Sequence, residues 1–276
     1  MQRARFVLPW VLVLLASTTL AQEVKIPDKA LEAALRKAVY EKRGTDKPLT
    51  KADLEKIFVL EAPAAGISSL AGLEHCRNLL LLRIPQNQVQ NLSPLAGLKN
   101  LQSLDVAENK ITNLTPLKGL TALQYLVLSG NPVEDLSPLA GLNKLASLYV
   151  ENAKVKDIGP LGALSQLASL YLGGNQIEKI DALQSVNRLH VLDLGRNRIQ
   201  DLSPLKAQTQ LRLLLLQNNR IQDLGPLVEL VAADAKGRGE LAPFLRVYLA
   251  GNPLGEKAKG QIEQLRRHGV QVFLEK

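Results

Sequence analysis

The sequence predicts an α/β solenoid, with a curved parallel sheet on its concave face, short 3₁₀ turns on its convex face and a helical N-terminal cap. Three observations predict it. Leucines return every 22 residues from Leu79 to Leu211. An asparagine follows the same period eight residues after the first leucine of nearly every copy. A single cysteine, Cys76, rules out an internal disulfide, so stability must come from a long apolar core.

The repeated unit reads LxxLxLxxNxIxxLxPLxxLxx, and copies begin at Leu79, Leu101, Leu123, Leu145, Leu167, Leu189 and Leu211. A degenerate copy starts near Ile57, and a last one starts at Phe244 after an insertion. This is the leucine-rich repeat signature, in which each unit contributes one short strand and cannot bury its leucines alone. The LxL stretch reads as that strand. The asparagine then turns the chain and bonds backbone groups the turn leaves open. The rungs are Asn87, Asn109, Asn131, Asn175, Asn197, Asn219 and Asn252, each worth about 0.5–1.5 kcal/mol net. Apolar residues at spacing three suit 3₁₀ turns, and the proline at position 16 limits helix growth.

The chain departs from its own pattern in three places. Ala153 replaces a ladder asparagine, Asp181-Ala182 replaces Ser-Pro, and Gln208 replaces a core leucine. The gap at Ala153 has two readings: a tolerated vacancy, or a looser turn that lets Glu151 and Asn152 adapt to a ligand.

The two ends follow different rules. Arg3, Arg5, an apolar run from Phe6 to Ala16 and small residues at Thr19 and Ala21 have the layout of a secretory signal, cut after Ala21. An uncleaved anchor is the alternative, but a bilayer span needs about 20 apolar residues. Residues 22–56 read as the helical cap, with Asp28 capping a helix through roughly Arg43. Thr50 to Asp53 then forms a capping box for a second helix ending near Ile57. Repeats fill 57–232. Residues 233–243 are an insertion, read as the end of an outer helix running on from Pro226 and a basic loop. Residues 244–276 hold the last repeat and a C-terminal cap, with a helix from about Gly255 to His268 closed by Gly269.

"ISSLAGLEHCRNLLLLRIPQNQVQNLSPLAGLKNL" resembles the start of the repeats in bacterial internalin-type proteins. The 22-residue unit with "LSPLAGL" resembles that subclass and is similar also to a eukaryotic phosphatase-regulating repeat protein. "IPDKALEAALRKAV" with "LTKADLEKI" is similar to the family's helical N-terminal cap, and "LAGNPLGEKAKGQIEQLRRHGVQVF" to its C-terminal closure. The resemblance covers about residues 25–276. It implies the fold firmly and a ligand only loosely, because one scaffold serves many partners.

Function is expected on the concave face, where repeat positions 3, 5 and 7 point outward. Position 5 reads Glu61, Arg83, Asp105, Val127, Tyr149, Tyr171, Asp193, Leu215 and Tyr248. Position 3 adds Tyr125, so four of the five tyrosines share this face. Tyr125, Tyr149 and Tyr171 on successive strands form the expected anchor. Arg83, Asp105, Glu108, Glu151, Asp193, Arg196 and Tyr248 complete the partner-binding set, an aromatic centre with a charged rim. Ser147, Ser169, Gly173 and Gly174 are expected to leave the rings accessible. Aromatic residues also favour strands and stack across them without any ligand, although that explains the outward Leu81, Leu213 and Leu215 less well. The expected partner is a protein. A glycan or cell-wall polymer stacking on the tyrosines is the alternative.

Other chemistry is not expected. His75, His190 and His268 fall on separate parts of the stack, so neither a metal cluster nor an enzyme site is expected, and no cofactor. Cys76 sits at an inward position and reads as an inert thiol, with intermolecular pairing as the alternative. "GNPLGEK" echoes a phosphate loop with the wrong glycine spacing. The net charge of +8 becomes +6 without residues 1–21 and is spread evenly, unlike the focused basic face of a nucleic-acid binder. The mature chain is expected to be secreted or held in the periplasm or envelope, without an integral membrane segment. The sequons at Asn91 and Asn113 fall out of the repeat pattern, and a bacterial source would leave them unused.

Overall fold

The computed structural model describes residues 22–275, apart from Arg238 and Glu240. The export signal expected at residues 1–21 therefore lies outside the described residues. Ten strands form one parallel sheet in strict chain order. They are β1 (Val59–Glu61), β2 (Leu81–Arg83), β3 (Ser103–Asp105), β4 (Tyr125–Val127), β5 (Ser147–Tyr149), β6 (Ser169–Tyr171), β7 (Val191–Asp193), β8 (Leu213–Leu215), β9 (Arg246–Tyr248) and β10 (Gln271–Phe273). Equivalent repeat positions pair across every neighbouring strand from β1 to β9, as in Tyr149 against Tyr171 and Leu215 against Tyr248. The middle residue of each strand points inward, and Leu82, Leu104, Leu126, Leu148, Leu170, Leu192 and Leu214 are fully buried.

The convex side turns through 3₁₀ segments such as Ser93–Leu95, Thr115–Leu117 and Ser137–Leu139, each with proline near its start. Side chains open these turns. Asn91, Asn113, Asp135, Asp157 and Asp201 each accept the backbone N–H two residues on. Asp181-Ala182, which lacks the proline, falls in a longer 3₁₀ segment, Asp181–Ser185.

At the N-terminus, α1 (Lys29–Ala38) is capped by Asp28 as expected, but it stops five residues short of Arg43. Val39 leaves the helix in extended conformation to bury its β-branched side chain, and a 3₁₀ turn at Tyr40–Lys42 follows. The capping box at Thr50 and Asp53 is present, yet α2 (Lys51–Leu54) is a single turn rather than a helix to Ile57. The chain there must straighten to enter β1. Asp28 also joins cap to stack: one carboxylate oxygen takes the Leu31 N–H, while the other takes the Ser68 and Ser69 N–H groups and the Ser68 hydroxyl. Partial burial raises its pKa, but these bonds outweigh that and bring it to about 2.

At the other end, α3 (Gly225–Lys236) takes the place of a 3₁₀ turn. The last repeat departs from the expected phase at its first position. Phe244 is 61% exposed, and the next residue, Leu245, takes the buried place because the chain arrives from the insertion rather than from a regular turn. Then α4 (Glu256–Arg267) leads into β10, a strand the repeat pattern did not announce. The Val272 carbonyl in β10 accepts from Arg266 Nη2 at 3.0 Å, so a side chain occupies part of the open edge.

Candidate functional site

Strand register builds a column of tyrosines on the outward side of the sheet. Tyr149 and Tyr171 stand opposite each other on β5 and β6, and their rings stack at 4.5 Å and 9°. Tyr125, one place back on β4, meets Tyr149 at 5.4 Å and 49°. Tyr125 is 39% exposed and the other two are half-buried. Ser147 and Ser169 lie beside them in register. Burial, the neighbouring Tyr149 phenol and nearby carboxylates raise the pKa of both Tyr125 and Tyr171, so these phenols stay neutral.

The charged residues divide into groups. Arg83 lies between half-buried Asp105 at 3.4 Å and exposed Glu61 at 4.0 Å, the second a surface pair of little energetic weight. Glu108 bonds Gln86 on the rim of the same early repeats. Closer to the tyrosines, Glu151 bonds the Ser129 hydroxyl at 3.3 Å. Burial raises the Asp193 pKa and Glu151 adds to the rise, against the Gly195 N–H and Arg196, which lower it. Gly173 does not open space beside the rings as expected. It is buried, and a Cβ there would lie 2.9 Å from the Asp193 carboxylate, which rests across Gly173 and Gly195.

The rim obeys one backbone rule. Position 8 of each repeat is left-handed, held by glycine at Gly130, Gly174 and Gly251 but by Ala64, Gln86, Glu108, Asn152, Arg196 and Asn218 elsewhere. Arg196 reaches back two repeats to the Asn152 side chain at 3.3 Å. The bond passes over Gly174, where any Cβ would strike Asn152 Oδ1. Asn152 is thus committed to Arg196 and does not fill the missing rung.

Tyr248 does not join the central column. It stacks on Phe273 of β10 at 4.5 Å and 13°, beyond Asp193 and Leu215. The sequence reading missed this pair because β10 lies outside the repeat. It also missed Phe58 and Leu80, 52% and 37% exposed at position 2, which extend Val59 and Leu81 into an apolar patch at the N-terminal end. Outward position 2 was the available signal.

The family model for leucine-rich repeats in two copies matches residues 77–119, 121–163 and 165–207. A solved structure of internalin C2 from Listeria monocytogenes is 33% identical with a TM-score of 0.71, over 74% of this chain and 90% of that one. This chain belongs to the internalin family. Internalin F from the same organism is 28% identical with a TM-score of 0.58, over 91% of this chain and 90% of that one. The functional domain of InlJ, also from Listeria monocytogenes, shares the fold at 21% identity and a TM-score of 0.63, over 90% of this chain and 60% of that one. That domain includes a cysteine ladder; the ladder in the present internalin is built of asparagine. No curated protein matches this sequence.

In this internalin the lone cysteine is not a reactive group. Cys76 is fully buried, and burial, with a contribution from Glu74, pushes its thiol up to about 12. Among the described residues no group of three His, Cys, Asp or Glu side chains is placed to hold a metal ion, and no helix is long and apolar enough to cross a membrane. His190 lines an edge cleft beneath α3.

Proposed function

We propose that this internalin is an exported, non-enzymatic binding protein that recognises a protein partner through its concave face, with Tyr125, Tyr149 and Tyr171 as anchors. The observation that carries this reading is the tyrosine column. Cross-strand stacking contributes a little to the sheet itself, whereas interfaces concentrate much larger binding energies in such residues. Glu151, Asp193 and Arg196 supply polar contacts beside the rings, Arg83, Asp105 and Glu108 extend the surface toward the N-terminus, and Tyr248 extends it toward the C-terminus. Stacking at 4.5 Å makes Tyr149 and Tyr171 cover one another's faces, and this favours a protein over a glycan, which needs an open ring face to stack on. Export rests on the leader at residues 1–21.

Affinity capture from surface and envelope extracts tests the reading, with the Tyr149→Ala/Tyr171→Ala double variant as comparison. Each single substitution is expected to weaken partner binding by about 2 kcal/mol or more, while folding stability changes by about 0.5 kcal/mol. A partner that binds both variants normally and is lost on substitution of convex residues overturns it.

A further inference from the structure

The insertion builds a second concave feature away from the tyrosines. Helix α3 stands over the edge of repeats seven and eight and walls one side of an open cleft of about 720 Å³, within the usual range for a small-molecule site. His190, Lys206, Thr209, Gln210 and Arg212 line it from the repeat side, and Asp234 lines it from the helix. His190 and Arg212 hold position 2 of their repeats. Upstream that column reads Gln102, Gln124, Ala146 and Ala168, so cationic and imidazole groups enter it only where the insertion adds a wall. The two residues are direct neighbours, since the Arg212 backbone N–H donates to the His190 carbonyl at 2.8 Å, and the line ends at buried Leu245 in the last repeat.

Electrostatics favour an anion. Of the charged side chains that line the cleft, Lys206 and Arg212 are basic and Asp234 alone is acidic. Asp201 and Asp223 are committed to turns on the far side, where they accept from Ser203 and Gly225. Asp234 is buried, and one of its carboxylate oxygens takes the Leu241 N–H at 2.9 Å. Lys206 pairs with exposed Glu229, a surface contact that a better acceptor displaces at small cost. The Arg212 guanidinium lies over the Phe244 ring at 5.4 Å and gives one N–H to the Leu211 carbonyl at 3.2 Å. Its remaining N–H groups have no partner among the described residues. A guanidinium held against an aromatic ring keeps its planar fork in the geometry for bidentate recognition of an oxyanion. Thr209 and Gln210 add neutral donors, and the cleft is much larger than one oxyanion.

We propose that this cleft binds a phosphate or sulfate ester carried on a sugar-sized molecule, independently of the tyrosine face. Calorimetric titration of the folded protein with N-acetylglucosamine 6-sulfate and 6-phosphate, inorganic sulfate and the parent sugar tests it. The esters are expected to bind saturably and more weakly as salt is raised, with no saturable binding of the parent sugar. His190→Ala/Arg212→Gln restores side chains found higher in the column and is expected to lower ester affinity at least tenfold, while Tyr149→Ala leaves it unchanged. Should the double variant fail to fold, Lys206→Gln on its exposed turn is expected to weaken binding at least threefold. Failure of both esters to bind, equal binding of the parent sugar, or unchanged affinity in a folded variant overturns the proposal. An ester no tighter than inorganic sulfate removes the sugar-sized carrier from it.

Discussion

The turns at Asn131 and Ala153 stand one repeat apart and close differently. At Asn131 the side-chain oxygen takes the Ile111 N–H at 2.9 Å, and the amide nitrogen gives to the carbonyls of Val106 and Leu128. At Ala153 the corresponding N–H, that of Val133, folds back on the Asn131 carbonyl at 2.8 Å. The carbonyls an asparagine would have reached are not orphaned. Leu128 O keeps the Asn131 amide, and Val150 O keeps that of Asn175. Elsewhere each such carbonyl serves two rungs, as Ile84 O does for Asn87 and Asn109, and Leu172 O for Asn175 and Asn197. The ladder is therefore redundant by one member. One vacancy is absorbed, and two adjacent vacancies are not.

The sharpest way to break this comparison is to widen the gap. Asn175→Ala leaves both Val155 N–H and Val150 O without a partner, whereas Asn219→Ala leaves only the Ile199 N–H, because Asn197 and Asn252 still serve the shared carbonyls. Denaturant unfolding should show a loss of about 2–4 kcal/mol for Asn175→Ala and about half that for Asn219→Ala. Equal losses would refute the sharing.

An intermediate effect separates ladder from cap. No rung is titratable, so the ladder contributes equally at all pH values. Asp28 differs: its folded pKa lies at about 2 against 3.8 for the free side chain. Its contribution is complete above the free value and is lost as the pH falls toward the folded one. Asp28→Ala should cost about 1–2 kcal/mol near neutrality, and the deficit should shrink in acid, while that of Asn175→Ala stays constant. Melting curves across the acid range distinguish the two.

The smallest effect comes from filling the vacancy. Ala153→Asn frees Val133 from its tight turn and adds second donors to two carbonyls, a gain of about 0.5 kcal/mol, at the low end for one hydrogen bond because nothing there is unsatisfied. Because Asn152 already bonds Arg196, binding at the tyrosine face should change less than twofold. A large loss of affinity would restore the adaptive-turn reading.

Much of this was legible in the sequence, because a lattice with a fixed period declares each residue's direction. Tyr149 against Tyr171, the inward leucines and the rungs all follow from counting. Elements outside the period were less legible. The end of α1 depends on burying Val39, β10 follows α4 rather than a repeat, and Leu245 takes the buried place of Phe244 where the insertion leads into an otherwise in-register β9. At the candidate site, counting gave which residues face outward but not how they share space. That Asp193 lies on Gly173, or that Arg196 crosses Gly174 to Asn152, depends on side-chain reach between repeats.

The stacked tyrosines also make the protein its own optical probe. Trp10 is the sole tryptophan, so residues 22–276 absorb and emit in the near ultraviolet through tyrosine, with phenylalanine a faint background. Of their five tyrosines, three lie in one coupled column. Rings held in van der Waals contact share excitation, and this coupling adds to the chiral signal that any fixed phenol gives. Near-ultraviolet circular dichroism and tyrosine emission from residues 22–276 thus draw on the column together with the Tyr248–Phe273 stack, and a molecule that inserts between or caps the column's rings announces itself without any added dye.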